Sequence, residues 1–236
     1  MPQTIDSVPA TRVYVVDDDS ALCESVEWLL DSAAISCTIC NSADEFLSRF
    51  EPDSPACLVL DVRMPRMSGT RLQEKLNEIA PHVAIIFVSA HGDINMSVST
   101  MKAGAQDFLE KPYDPQQLID AVQLGVDNAA QRYLLHSQER RLSEKINLLT
   151  SREREVLVLV IEGLPSQTIA RRLGMSVKTV DVHRTRIKTK TDADSIGTLV
   201  RDILRDEFQG ALGERITRNI RKLVRAEIAR AVAAQE

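Results

Sequence analysis

Val13-Tyr14-Val15-Val16-Asp17-Asp18-Asp19 decides how this chain is read. Four apolar residues run straight into three acids. A short apolar run bounded by polar residues reads as a buried strand. Three later stretches repeat the arrangement. Cys57-Leu58-Val59-Leu60 ends at Asp61, Ile85-Ile86-Phe87-Val88 ends at Ser89, and Asp107-Phe108-Leu109 is followed by Lys111-Pro112. Four strands, each delivering one polar group at its C-terminal end, describe a single site, because ligands in open α/β sheets sit outside the carboxyl ends of the strands. Two acids, a central Asp, a hydroxyl and a Lys are suited to holding a divalent cation and a phosphoryl group on a carboxylate.

Working outward, strands are expected at 12–17, 35–40, 56–61, 83–89 and 106–109, with helical patterns between them. Ser20 or Asp19 is placed to cap a helix over 21–33, Ser42 one over 43–50, and Ser68 the one that follows. Helices near 93–103 and from 114 onward complete five β-α units. This alternation predicts a doubly wound, five-stranded parallel sheet covered on both faces. From 114 an apolar stripe through Leu118, Val122, Val126, Ala129, Ala130 and Tyr133-Leu134 turns polar across His136–Lys145, which reads as a long helical linker. New apolar-periodic segments then begin at Leu148-Leu149-Thr150. Helices capped by Thr150 or Ser151, by Ser166 and by Ser176, with a fourth from Ser195, predict a compact all-α unit. The expected division is 10–130, a linker at 131–147, the all-α unit at 148–205, and an amphipathic helix at 210–236. That last helix is marked by Leu212, Ile216, Ile220, Leu223, Val224, Ile228 and Val232, and reads either as packing on its own unit or as a dimer-forming element.

Charge supports the division. Residues 1–125 carry 8 Lys and Arg against 19 Asp and Glu, a net of −11. Residues 148–200 carry 9 against 6, a net of +3. An acidic first half joined to a basic second half places nucleic-acid contact in the second. The N-terminus lacks the basic and apolar regions of a signal peptide, and no stretch approaches a membrane span. The expectation is a cytoplasmic protein with no membrane partner. The C-x-x-C pair Cys37 and Cys40 lies in an expected strand and lacks the further ligands of a zinc site, so it reads as structural. Cys23 and Cys57 read as small core residues.

Asp17-Asp18, the run Asp61-Val-Arg-Met-Pro-Arg-Met-Ser-Gly69, Ser89-Ala90 and Lys111-Pro112 together resemble the CheY-like receiver domain of two-component response regulators, over about residues 10–130. The resemblance implies that Asp61 is the phosphoacceptor. It implies Mg²⁺ held by Asp17, Asp18, Asp61 and the Arg63 backbone carbonyl. Lys111 and Ser89 would bind phosphate oxygens, Ser89 and Phe108 would act as the switch pair, and Lys111–Pro112 would be a cis peptide. The chemistry agrees: Mg²⁺ takes few carboxylates alongside phosphate oxygens, and a Lys supplies a point charge to phosphate.

Leu149-Thr-Ser-Arg-Glu-Arg-Glu-Val156, Ile169-Ala170 and Gly174-Met-Ser-Val-Lys-Thr-Val-Asp-Val-His183 resemble the LuxR-type helix-turn-helix of FixJ/NarL regulators, over about residues 148–205. A recognition helix sets its N-terminal part against base edges while basic and hydroxyl groups fix register on phosphates. Asp181, Val182 and Thr185 are expected to face the groove, with Lys178 or Arg184 at its wall. Lys178, Thr179, His183, Arg186 and Lys188 are expected on phosphates, although His183 also reads as a structural residue. Two acids in Thr191-Asp-Ala-Asp194 depart from the family pattern. The reading is a transcription regulator, not an enzyme beyond the chemistry of its own phosphorylation. Its partners would be a sensor histidine kinase, double-stranded promoter DNA, a second copy of itself and RNA polymerase. The alternatives are a phosphatase-type enzyme working through an aspartyl phosphate, and a DNA-binding protein with a vestigial receiver.

Overall fold

A computed structural model of the chain describes residues 9–90, 94–200 and 203. The expected helix at 210–236 and the first residue of the helix expected at 93–103 lie outside them. The chain divides into two compact units, 1–137 and 138–236.

In the first unit, strands β1 (Arg12–Val16), β2 (Cys37–Cys40), β3 (Ala56–Asp61), β4 (Ala84–Ser89) and β5 (Asp107–Glu110) form one sheet in the order β2-β1-β3-β4-β5. All four pairings are parallel. Helices α1 (Ser20–Ser32), α2 (Ala43–Arg49), α3 (Gly69–Ile79), α4 (Ile94–Lys102) and α5 (Pro115–Asn147) alternate with the strands.

The strands are apolar throughout because both faces are covered, and their two-residue period sorts the side chains. Tyr14, Val16, Leu58, Leu60, Ile85 and Phe87 join Phe46 of α2 and Leu72 and Leu76 of α3 in one cluster. Val13, Val15, Cys57, Val59, Ile86 and Val88 join Cys23, Val26 and Leu30 of α1 and Leu118 and Val122 of α5 in the other. The same alternation disposes of the C-x-x-C pair. Cys37 packs with the α1/α5 cluster and Cys40 with the α2/α3 cluster, so three-residue spacing in a strand sends the thiols to opposite faces. All four thiols are free. Burial pushes Cys23, Cys37 and Cys40 up to about 11 and Cys57 to about 12, far from the thiolate that redox or metal chemistry needs.

Asp19, rather than Ser20, is the N-cap of α1, its carboxylate accepting from the amides of Ala21 and Leu22 at 3.0 and 3.2 Å. Ser42 and Ser68 cap α2 and α3 as expected. β2 starts at Cys37, two residues later than its apolar pattern suggests, because the tight turn after α1 consumes Ala34 at positive φ and ties Ile35 back to Leu30.

The second unit holds α6 (Ser151–Ile161), α7 (Ser166–Leu173), α8 (Val177–Thr191) and a helical segment over 196–200. Val156, Leu157, Ile169, Ala170, Val180, Ile187 and Leu199 make its core, with Leu142 and Ile146 from the last turns of α5. Thr150 and Glu153 close a reciprocal capping box at the start of α6. Glu153 is 2% exposed and also binds Lys190 Nζ at 2.7 Å, locking the start of α6 to the end of α8. Asp192 ends α8 in the left-handed region, φ 49°, so one of the two unexpected acids serves as a helix stop.

This packing generates two predictions. Gly125 of α5 lies where an added Cβ would stand 2.6 Å from Cys57 Sγ. Gly125→Ala, which helix propensity alone favours by about 1 kcal/mol, should instead lower stability by about 1–2 kcal/mol through overpacking. The same change in a Cys57→Ala background should be neutral or stabilising in urea titrations followed by circular dichroism. The second concerns Glu153. Burial raises its carboxyl, but the bonds from Lys190 and from Thr150 outweigh that and hold it below 4.5. A depressed carboxyl stabilises the fold above its unfolded value and loses that contribution as pH falls through its folded value. Hydrogen exchange should therefore show α6 and α8 loosening below about pH 4.5. Glu153→Gln should cost about 1–3 kcal/mol at pH 7 and flatten the acid dependence.

Candidate functional site

Four of the expected site residues stand at the carboxyl ends of strands, while Phe108 lies near the start of β5 and Arg63 in the loop after β3. Asp17 follows β1, Asp61 closes β3, Ser89 closes β4 and Lys111 follows β5. Lys111 Nζ lies 2.9 Å from Asp17 Oδ2 and 3.1 Å from Asp61 Oδ1. The remaining oxygens are also held. Asp17 Oδ1 accepts from the Asp19 amide at 2.9 Å, and Asp61 Oδ2 accepts from the Arg63 amide at 2.6 Å. The ammonium thus bridges two carboxylates whose other oxygens are fixed by backbone.

Burial differs across the site and sets its electrostatics. Asp17 and Ser89 are buried, whereas Asp18 is exposed. Among the described residues no three acidic, imidazole or thiol groups are gathered as ligands for a metal ion. Instead Lys111 occupies the gap between Asp17 and Asp61. Burial raises the Asp61 carboxyl above 3.8, opposed by Lys111 and reinforced by the Asp17 charge. Burial works against the charge on Lys111, but the bonds from Asp17 and Asp61 outweigh it and hold the ammonium above 10.5.

Two local features border the site. Lys111–Pro112 is a cis peptide, as the resemblance implies, and the Lys111 amide donates to Ser89 O at 2.8 Å. The start of α3 presses on β3: Gly69 N–H donates to Val62 O at 3.0 Å, and a Cβ on Gly69 would collide with the Asp61 carbonyl oxygen. Gly69 closes the quoted Asp61–Gly69 run, but its reason, backbone against backbone, shows only in three dimensions. Phe108 is half-buried beside the α2/α3 cluster, its ring 6.4 Å from that of Phe87.

In the second unit, α8 buries Val180, Ile187 and Thr191 and turns the other face outward. Lys178, Thr179, Asp181, Val182, Thr185, Arg186 and Lys188 are exposed, while His183 and Arg184 are half-buried at the shoulder. Thr179 is used locally, its amide and hydroxyl meeting the Ser176 cap at 3.0 and 2.8 Å. Thr185 Oγ1 bonds back to Asp181 O at 3.0 Å. Lys190 turns inward to Glu153, away from the exposed basic set. Ser166 corrects the expectation that it caps α7. Pro165 holds the cap position without a side-chain bond, and the Ser166 hydroxyl reaches across to α8. There it meets Asp181 Oδ1 at 3.1 Å and Arg184 NH1 at 3.3 Å. Charged partners draw the hydroxyl more strongly than a helix amide does. Neither this role nor that of Lys190 leaves a signal in sequence spacing.

Two stretches of the chain match known protein families. Residues 13–123 match the response regulator receiver domain, and residues 147–202 match the luxR family of bacterial regulatory proteins. The chain is 41% identical over 189 residues to the transcriptional regulatory protein FixJ of Azorhizobium caulinodans, covering 80% of this chain and 90% of that one. It is 38% identical over 192 residues to the response regulator protein TodT of Pseudomonas putida, covering 81% and 85%. Among solved structures, the response regulator StyR aligns with a TM-score of 0.67 and 41% identity, over 83% of this chain and 99% of that one. No helix of the described residues is long and apolar enough to cross a membrane.

Asp61→Asn tests the electrostatics of the cluster formed by Asp17, Asp61 and Lys111. A carboxyl raised above its unfolded value favours the folded chain while protonated, and that contribution is lost as pH rises through the folded value. At pH 7 the ionised Asp61 therefore carries a cost that Asn removes. In metal-free buffer the variant should melt at a higher temperature than wild type at pH 7, with the difference shrinking toward pH 4.

Proposed function

Because the chain belongs to the two-component response regulators of the FixJ type, in which a receiver is joined to a LuxR-family DNA-binding domain, we propose that phosphorylation of Asp61 governs its binding to promoter DNA. The observation that carries this reading is Lys111 bridging Asp17 and Asp61 at the ends of three different strands. A positive group already poised between two carboxylates suits the arrival of a phosphoryl group on one of them. The work divides into a receiver over 10–130, a helical linker over 131–147 and a DNA-binding domain over 148–205.

A carboxylate oxygen of Asp61 attacks the phosphorus of a phosphohistidine on the sensor kinase. The N–P bond breaks, the imidazole leaves and an acyl phosphate forms. Asp17 and Asp61 both reach the same ammonium, and carboxylate oxygens are the donors a small hard cation takes. Asp17, Asp18, Asp61 and the Arg63 carbonyl would hold Mg²⁺, which when bound offsets charge among the carboxylates and phosphoryl oxygens. The chain's own contribution is Lys111, whose ammonium passes from Asp17 to a phosphoryl oxygen, and Ser89, whose hydroxyl donates to another. The new charge and acceptors on Asp61 draw Ser89 toward them and let Phe108 rotate inward. Gain and loss of this phosphoryl group is the only covalent chemistry assigned to the protein, and the cytoplasm is its place of action.

The output is assembly and DNA binding. Ile94, Val98 and Met101 lie at helical spacing on α4 and are 82%, 44% and 43% exposed. This apolar stripe, beside the Phe108 strand, is the proposed face for a second copy of the phosphorylated chain. Two α8 helices would then enter half-sites about one helical turn apart. Lys178, Thr179, His183, Arg186 and Lys188 take phosphates, Asp181, Val182 and Thr185 face bases, Arg184 stands at the groove wall, and RNA polymerase is the downstream partner.

Light scattering with Mg²⁺ and beryllofluoride tests this. Wild type should pass from monomer to dimer on addition of beryllofluoride. Asp61→Asn should stay monomeric, and Val98→Asp should weaken dimerisation at least tenfold, as burying an unpaired charge requires. A constant dimer in all three would place assembly elsewhere and refute the α4 face.

A further inference from the structure

The Ser166 hydroxyl stands between two oppositely charged side chains on α8, and chemistry fixes the direction of both bonds. Arg184 can only donate and an ionised Asp181 can only accept. The chain therefore runs from the Arg184 guanidinium at 3.3 Å to Ser166 Oγ, and from the Ser166 hydroxyl proton at 3.1 Å to Asp181 Oδ1. Such charge-assisted bonds in series reinforce one another. Asp181 and Arg184 are three residues apart on one helix and Ser166 belongs to another, so the bridge also ties the first turn of α7 to the middle of α8.

An unheld acid on the DNA-facing side of a basic helix would be repelled by phosphate and would spread over many rotamers. The bridge removes both difficulties. Arg184 offsets the charge through the hydroxyl, and ordering Asp181 before DNA arrives removes an entropy cost from binding. One carboxylate oxygen is used by Ser166. The other carries no bond among the described residues, and Asp181 is exposed beside Val182.

We propose that Ser166 is a positioning residue for sequence readout: it holds Asp181 so that its second oxygen accepts from the exocyclic amino group of cytosine in the major groove. Cytosine N4 is the donor that Asp and Glu recognise there. The inference rests on the reading that α8 faces DNA, and it assigns a specificity role to a residue outside the recognition helix.

The test uses the full chain with Mg²⁺ and beryllofluoride, and selection from a randomised duplex library. Wild type should select a motif with a C·G pair at one position in each half-site. Ser166→Ala should lose preference at that position by about tenfold, the scale of one base contact. Its affinity for mixed-sequence DNA and the slope of log affinity against log salt should match wild type, because phosphate contacts are unchanged. Asp181→Asn should flatten the same position, and the double variant should be no worse than either single one. Ser166→Thr, which keeps the hydroxyl, should restore the preference. A Ser166→Ala protein that selects the wild-type motif overturns the positioning role while leaving DNA binding by α8 intact. So does one that loses all DNA sequences equally together with thermal stability, since that marks a merely structural bond. Wild type that selects no motif overturns the α8 reading itself and the proposal with it.

Discussion

The bridge from Lys111 to Asp17 and Asp61 is the constraint on which the rest of the first unit depends. Two ionised carboxylates repel one another, and the chain sets a cation between them through a side chain from a third strand end. The arrangement depends on the sheet order. β1 and β3 must be neighbours so that Asp17 and Asp61 share a partner, and β5 must end at the same edge to bring Lys111 over them. The close approach of Gly69 to the Asp61 carbonyl belongs to the same arrangement. The cost is visible in the Asp61 carboxyl, which burial raises.

The second unit solves a different problem with a related device. A small helical domain must hold one helix rigidly while leaving most of that helix exposed. Its apolar core grips α8 along Val180 and Ile187, but two points cannot stop a helix from rolling or fraying. Charged bonds supply the rest. Glu153 pins the C-terminal end through Lys190, and Ser166 steadies the middle through Asp181 and Arg184. Of the basic residues on α8, Lys190 therefore serves the fold, while Lys178, Arg186 and Lys188 remain exposed for a polyanion.

Much of this was legible in the sequence because strands buried on both faces are apolar along their whole length. In Cys57-Leu58-Val59-Leu60-Asp61 the first polar residue marks the strand's end and the site at once. Helix caps such as Ser42, Ser68 and Ser176 were equally readable, since a cap is a local bond. What escaped was non-local. Ser166 has the sequence signature of a cap, and nothing nearby in the chain shows that Asp181 and Arg184 compete for its hydroxyl. Lys190 and Lys188 look alike along the chain, and only the fold turns one toward Glu153. Asp18 sits beside Asp17 in sequence, yet one is exposed and the other buried on Lys111, a difference that the alternation of a strand's last residues cannot convey.

The central claim is that Asp61 is where the phosphoryl group arrives and Lys111 is what it meets. The most direct measurement is to incubate the full chain with acetyl phosphate and Mg²⁺, trap acyl phosphates with borohydride, and locate the modified residue by peptide mass spectrometry. The account predicts a single modified site at Asp61, none in Asp61→Asn, and a much smaller yield in Lys111→Ala. Modification at another acid, or an unchanged yield without Lys111, would contradict it.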